Sequence, residues 1–187
     1  MKTRKLFLVL LLVLVVSLCG TVFAYMYQRT RQENYQFRPA TVTCSVQETI
    51  EDGSKTSIEI RNDGSIDAYL RLRLVSYWVN SSGEIIAKPA ALPTFSLNTD
   101  DWIAGANDTY YYKSPVSSDS PNNLTSNLLS EPVSEGIPLA VDDEGNKQVI
   151  EVFAEAIQSE PQTAVTSSWG VNVDSATGNL SIPTVGP

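Results

Sequence analysis

Histidine is missing from this chain altogether, and that absence removes much of the familiar catalytic chemistry. Without an imidazole there is no HExxH zinc site, no Ser-His-Asp triad and no Cys-His nucleophile. Cysteine is almost as scarce. Cys19 lies in an apolar N-terminal run, so Cys44 stands alone in the remainder and cannot form an intramolecular disulfide there. Basic residues stop at Lys147, and beyond Ala24 ten of them face 21 acidic residues, a net charge of −11. Such a surface repels phosphate backbones and anionic lipid heads, which excludes nucleic acid as an expected partner. The acidic residues are scattered rather than run together, the pattern of a solvated surface. No second apolar run of bilayer length follows the first, and no repeat of about 20 to 50 residues suggests a solenoid. The C-terminal Ile182-Pro183-Thr184-Val185-Gly186-Pro187 carries no hydrophobic tail and no LPxTG-type sortase signal.

What is present begins at the N-terminus. Lys2, Arg4 and Lys5 form a basic head, and Leu6 to Cys19 is apolar except for Ser17. Val22-Phe23-Ala24 then sets small or moderate residues at the two positions a signal peptidase reads, predicting cleavage between Ala24 and Tyr25. The expected product is secreted or lies at the cell surface. The alternative is a retained membrane anchor, because the 19 residues from Leu6 to Ala24 approach the length of a transmembrane helix, about 20 residues. Either way, contact with the membrane runs only through the N-terminal segment. Leu18 before Cys19 is too large for lipid modification of that cysteine. The layout predicted is a signal at 1–24, a linker or arm at 25–39, one domain at 40–173 and a flexible tail at 174–187.

Periodicity in that domain is two, the signature of strands. Val42, Cys44 and Val46 alternate with Thr43, Ser45 and Gln47. Ile58 and Ile60 alternate with Glu59 and Arg61, and Asn62-Asp63-Gly64-Ser65 follows as a turn. From Ile66 to Val79, one face collects Ala68, Leu70, Leu72, Leu74 and Trp78, and the other Tyr69, Arg71, Arg73, Val75 and Tyr77. That is a dry face and a half-wet face, as in an antiparallel sheet. Asn80 to Gly83 reads as a hairpin turn into 84–88, and short strands are expected at 101–103 and 109–113. Residues 124–129 read as a strand or one helical turn. Lys147 to Gln158 has apolar groups on both faces, which predicts a central strand. Thr163 to Trp169 reads as a short helix. The expected fold is all-β, an antiparallel two-sheet sandwich of jelly-roll or immunoglobulin-like topology, after a hydrophobic N-terminal signal helix.

Several fragments carry a resemblance. Gly20-Thr21-Val22-Phe23-Ala24-Tyr25, Asn34-Tyr35-Gln36-Phe37 and Pro39-Ala40-Thr41-Val42 open the chain. Arg61-Asn62-Asp63-Gly64-Ser65-Ile66-Asp67-Ala68-Tyr69-Leu70-Arg71 follows, then Trp102, Tyr110-Tyr111-Tyr112-Lys113, and Glu155-Ala156-Ile157-Gln158 before Trp169-Gly170. In this order they resemble the TasA/camelysin family of Gram-positive exported proteins, which are processed by a SipW-type signal peptidase. The resemblance implies a β-sandwich at the cell surface or in the biofilm matrix. It also implies self-association in some members by strand exchange, here through the segment around Asn34 to Glu48. Arg29 and Arg31 stand where the family carries acidic, Thr-rich residues.

Camelysin-type relatives carry a metallopeptidase label, and the missing histidines weigh against that activity here. Neither Asp52-Gly53 nor Asp63-Gly64-Ser65 reproduces an aspartic-protease loop. A Ser-Lys dyad or a carboxylate pair is compatible with the composition, but no spacing marks one. The expectation is a non-enzymatic chain with no cofactor and no metal centre. Asp142, Asp143 and Glu144 form the one dense carboxylate cluster, a cation-binding turn or an ordinary hairpin turn. Tyr69, Tyr77, Trp78, Trp102, Tyr110, Tyr111, Tyr112 and Trp169 are core residues or, on an exposed face, a platform for sugars. Two functions follow: a structural or matrix-associated protein partnered by itself or by matrix proteins, or a surface module recognising glycan or protein. A signal peptidase is the partner during export.

Overall fold

The computed structural model describes residues 4, 14–23, 25, 39–130 and 136–183. The chain divides into two units, Met1–Pro39 and Ala40–Pro187. In the first, residues 14–23 are helical and exposed. No helix among the described residues is long and apolar enough to cross a membrane.

The second unit is mostly β, with antiparallel sheets throughout. Strands β1 (Cys44–Glu51) and β2 (Ser54–Asn62) form a hairpin closed by Asp52 and Gly53, both in the left-handed region. A short strand, β7 (Ile137–Pro138), pairs with the start of β2. The other sheet is organised around β3 (Ala68–Val79). Along one edge β3 pairs over its whole length with β8 (Lys147–Gln158). Along the other it pairs with β6 (Thr109–Tyr112) and β4 (Ile85–Ile86), and β5 (Trp102–Ala104) lies outside β6.

Alternation explains the packing. Ile58 and Ile60 from one sheet and Ala68, Leu70, Leu72 and Leu74 from the other are fully or almost fully buried. With Trp102, Val116, Leu128, Leu129, Ile137 and Ile150 they make one core shared by the two sheets, an arrangement compatible with an all-β sandwich. The edge of β2 away from β1 is closed by residues 123–129, of which 124–129 are expected from sequence as a strand or one helical turn. Instead the segment is irregular and mixes backbone and side-chain bonds: Asn62 N donates to Asn123 O, and Thr125 N and Leu128 N donate to Ile60 O and Ile58 O. Ile60 N donates to Thr125 Oγ1 at 2.9 Å, Ile58 N donates to Asn127 Oδ1 at 3.0 Å, and Asn127 Nδ2 donates to Thr56 O at 3.1 Å. These bonds satisfy backbone groups that burial would otherwise orphan.

The outer face of β3 differs from the half-wet expectation. Tyr69 is only 1% exposed, and it forms a second core with Tyr111, Val165, Val171 and Leu180. The helix Thr163–Trp169 supplies Val165, and Gly170, at φ 66°, terminates it in the left-handed conformation that glycine adopts without strain. Leu180 comes from the hairpin of β9 (Asn172–Val173) and β10 (Leu180–Ser181), and Val171 lies just before β9. The segment after Asp174, expected to be a flexible tail, is therefore ordered through Ser181. Asp174 closes its turn by accepting from the backbone N–H groups of Ala176 and Thr177, which hold its carboxyl below the usual range. Gly64 sits in the predicted turn for a different reason from positive φ. A Cβ there would lie 2.5 Å from Thr41 O, so the two backbones approach too closely for any side chain.

Candidate functional site

The expectation of a central β8 is corrected by its pairing: among the described residues β3 is its one strand partner. Its mixed pattern has another cause. Ile150, Val152, Ala154 and Ala156 face the shared core, Ile157 faces the second core, and Phe153 is left 48% exposed.

Backbone direction follows from the bonds at the two ends of β8. Gln148 N donates outward to Ala140 O at 2.8 Å, while Ser159 N donates to Asp67 O, on the β3 side, at 3.0 Å. Backbone groups alternate sides along a strand. The N–H and C=O groups of Ile150, Val152, Ala154 and Ala156 therefore point away from β3, and among the described residues no backbone partner meets them. The same argument applies to β1. Thr43 O accepts from Asp63 N on the β2 side, so Cys44, Val46 and Glu48 turn their backbone groups outward. These two open edges pack beside one another. Between them lies a groove of about 470 Å³ lined by Val46, Glu48, Tyr77, Val149, Ile150, Glu151 and Val152. Open edges are templates for an added strand, and native proteins usually blunt them with charge or short length.

Glu48 on this wall is held in an ion pair of which only the lysine is buried. Lys55 is only 4% exposed, and its Nζ donates to Glu48 Oε2 at 2.7 Å. The inward turn of a lysine comes from a β-bulge: register shifts between Thr49 and Ile50, so Thr56 is skipped and the faces of β2 exchange. Simple alternation from Ile58 puts Lys55 on the solvent face, which is why sequence reasoning missed it. The signal was the turn at Asp52-Gly53 together with the like-sided Glu48. Cys44, at the start of the β1 edge, is half-buried. Burial, then the negative fields of Asp63 and Glu155, push its thiol pKa up, so it stays a neutral thiol and a poor nucleophile.

The residues singled out from sequence fall in separate places. Val22 and Tyr25 are exposed, and Ala24 lies outside the described residues, as do Asn34 to Phe37. Asp142 heads a tight turn in which Oδ1 accepts from Glu144 N at 3.0 Å and from Asn146 N at 2.8 Å. Its other oxygen accepts from Asn146 Nδ2 and from Lys88 Nζ, and these bonds lower its pKa to about 2. The carboxylate is thus committed within the turn. Among the described residues no three acidic or cysteine side chains converge as a metal ligand set.

The aromatic residues also separate. Trp102, Tyr110 and Tyr112 belong to the shared core, and Tyr69 and Tyr111 to the second. Trp169 is stacked on the Arg71 guanidinium, with 4.6 Å from Cζ to the ring centroid, and Trp78 lies beneath Lys88 Nζ. Tyr77 borders the groove. No protein-family model, curated protein or solved structure matches this chain.

Proposed function

We propose that this chain is an exported, non-catalytic structural protein of the cell surface or extracellular matrix, of the kind the TasA/camelysin resemblance implies, and that its copies associate by β-strand exchange. The proposed architecture is a jelly-roll or immunoglobulin-like sandwich exported by the N-terminal signal. The observation that carries the reading is the pair of open edges. Cys44, Val46 and Glu48 on β1 and Ile150, Val152, Ala154 and Ala156 on β8 present backbone groups unpaired among the described residues, on adjoining sides of one groove. Each added strand would satisfy groups that no described backbone group meets, and main-chain bonding of this kind supplies affinity without a dedicated ligand pocket. Trp102, Tyr110 and Tyr112 pack into one core and Tyr69, Tyr111 and Trp169 into the other, which supports assembly over a sugar platform needing several rings on one wet face.

Sedimentation velocity and negative-stain electron microscopy on the protein recovered from culture medium test the reading. The expected result is concentration-dependent growth into elongated polymers that dissociate in denaturant. A species that stays monomeric at every concentration, with soluble glycan binding, would replace assembly by the binding-module alternative.

A further inference from the structure

We propose that Asp52-Gly53, at the tip of the β1–β2 hairpin, is a site of spontaneous aspartyl isomerisation, and that the fold protects the chain's other Asp-Gly pair, Asp63-Gly64, from the same reaction. The inference is independent of the assembly reading. Both pairs are followed by serine, so the two sequences read alike. Asp-Gly is the aspartyl sequence most open to this chemistry, because glycine has no side chain to shield the nitrogen that attacks. In the reaction the Gly53 nitrogen bonds to the side-chain carbon Cγ of Asp52. The Cγ–OH bond breaks, and the hydroxyl leaves with the amide proton as water. Water then reopens the five-membered imide at the former main-chain carbonyl, so the chain continues through Cγ as isoaspartate. One water is lost and one regained, and no oxidant or cofactor takes part.

Geometry separates the two pairs. Closing the ring requires the glycine nitrogen to swing beside the aspartate Cβ, at a ψ of about −120°, the value of the first central residue of a type II′ turn. Asp52 and Gly53 have φ of 48° and 75°, both positive, which makes the loop between Glu51 and Ser54 type I′. Rotating the single peptide plane between them converts I′ into II′, and glycine accepts the negative φ that results. Among the described residues nothing holds that plane: Gly53 N has no backbone acceptor and Asp52 O no backbone donor. Beyond its chain neighbours, no atom lies within 4 Å of the Cβ position at Gly53. The bond that anchors the tip, from Leu139 N to Gly53 O at 2.8 Å, belongs to the next peptide and survives the rotation. Both residues are exposed, so water reaches the ring. Asp63-Gly64 has the opposite surroundings. Gly64 N donates to Asn62 Oδ1 at 3.0 Å, and Asn62 is fully buried, its Nδ2 donating to Ile66 O and Val116 O, both at 2.9 Å. Asp63 N and Ser65 N donate to Thr43 O and Thr41 O, and a Cβ at Gly64 would lie 2.5 Å from Thr41 O. The attacking nitrogen is engaged there, and the backbone around it is pinned on both sides.

Peptide mapping with electron-transfer fragmentation, which tells isoaspartate from aspartate, tests this on the full chain aged in mildly acidic buffer. Isoaspartate should accumulate at Asp52 at least tenfold faster than at Asp63. In urea, with the fold removed, the two positions should react at similar rates. Asp52→Asn keeps a residue that suits a type I′ turn, and it should release ammonia through the same ring to give isoaspartate at that position. Equal rates at the two positions in the folded chain would overturn the inference. A difference that persists in urea would also overturn it, since sequence rather than fold would then be the cause. Silence at both positions in the folded chain, with reaction at both in urea, would show the hairpin tip to be locked and would overturn it too.

Discussion

Arg71 lies on the face of β3 that alternation alone marks as half-wet, where truncation to alanine should cost only about 0.5 kcal/mol. Its surroundings give a larger figure. The side chain is 23% exposed, and Nε and Nη2 both donate to Glu155 Oε2, at 3.0 and 2.6 Å. The guanidinium lies 4.6 Å from the Trp169 ring centroid and 5.8 Å from that of Tyr111. Because Glu155 is largely exposed, the ion pair contributes only about 0.2 to 1 kcal/mol. The stack on Trp169 adds about 0.5 to 1 kcal/mol, and the buried stem adds packing. Arg71→Ala should therefore cost about 1 to 2 kcal/mol. Leu72→Ala, which empties a fully buried position between the sheets, should cost about 2 to 5 kcal/mol. Urea midpoints with a common slope give both values, and near-ultraviolet circular dichroism reports whether the Trp169 environment loosens in the arginine variant alone. A double-mutant cycle of Arg71→Ala with Trp169→Ala should return a favourable coupling. Additive effects would mean the stack contributes nothing, and an arginine variant less stable than Leu72→Ala would refute the assignment of the two faces.

Further outcomes follow from other groups. The Asp142 carboxyl is held at about 2 by Lys88 and Asn146, below the value of 3.8 it takes when free. A lowered folded-state pKa stabilises above the unfolded pKa, and that contribution disappears as pH falls through the folded value. The urea-midpoint difference between wild type and Asp142→Ala should thus be full above about pH 4 and shrink toward about 2; a difference that grew on acidification would contradict the bond pattern. Ala24→Asp should block processing, since a charged residue does not fit the small-residue cleavage site; N-terminal sequencing should find Tyr25 first in the wild type and Met1 in the variant. Purified protein should hold no stoichiometric zinc, and it should cleave no casein in a chelator-sensitive way. Without imidazole or a second cysteine beyond Ala24, soft ligands are wanting.

Period-two patterning was enough to place β2, β3, β6 and the inward set Ile58, Ile60, Leu70, Leu72 and Leu74, because alternation ties each side chain to a face. The helix Thr163–Trp169 was also legible in the sequence, but not what that helix covers. Tyr69 and Tyr111 are dry because a seven-residue helix and a two-residue-stranded hairpin fold back over them, contacts far apart in sequence. Lys55 was hidden by a bulge, a one-residue change that inverts every inference downstream of it. The open edge of β8 was hidden by its composition. Apolar residues on both faces mark a covered strand, yet on the outer face only Ile157 meets the second core, Phe153 is left exposed, and among the described residues the backbone edge meets no partner. Edge status is a property of hydrogen-bond partners, and side-chain patterning carries no direct record of them.

Amide hydrogen exchange, resolved by residue in the monomer and in the assembled material, addresses the open-edge account most directly. In the monomer, the outward amides of Cys44, Val46, Glu48, Ile150, Val152, Ala154 and Ala156 should exchange fast, while neighbours such as Val75 and Phe153, which face the β3–β8 ladder, stay protected. On assembly the outward β8 amides should slow by at least tenfold with the ladder amides unchanged. Outward amides already protected in the monomer, or still fast in the polymer, would contradict it.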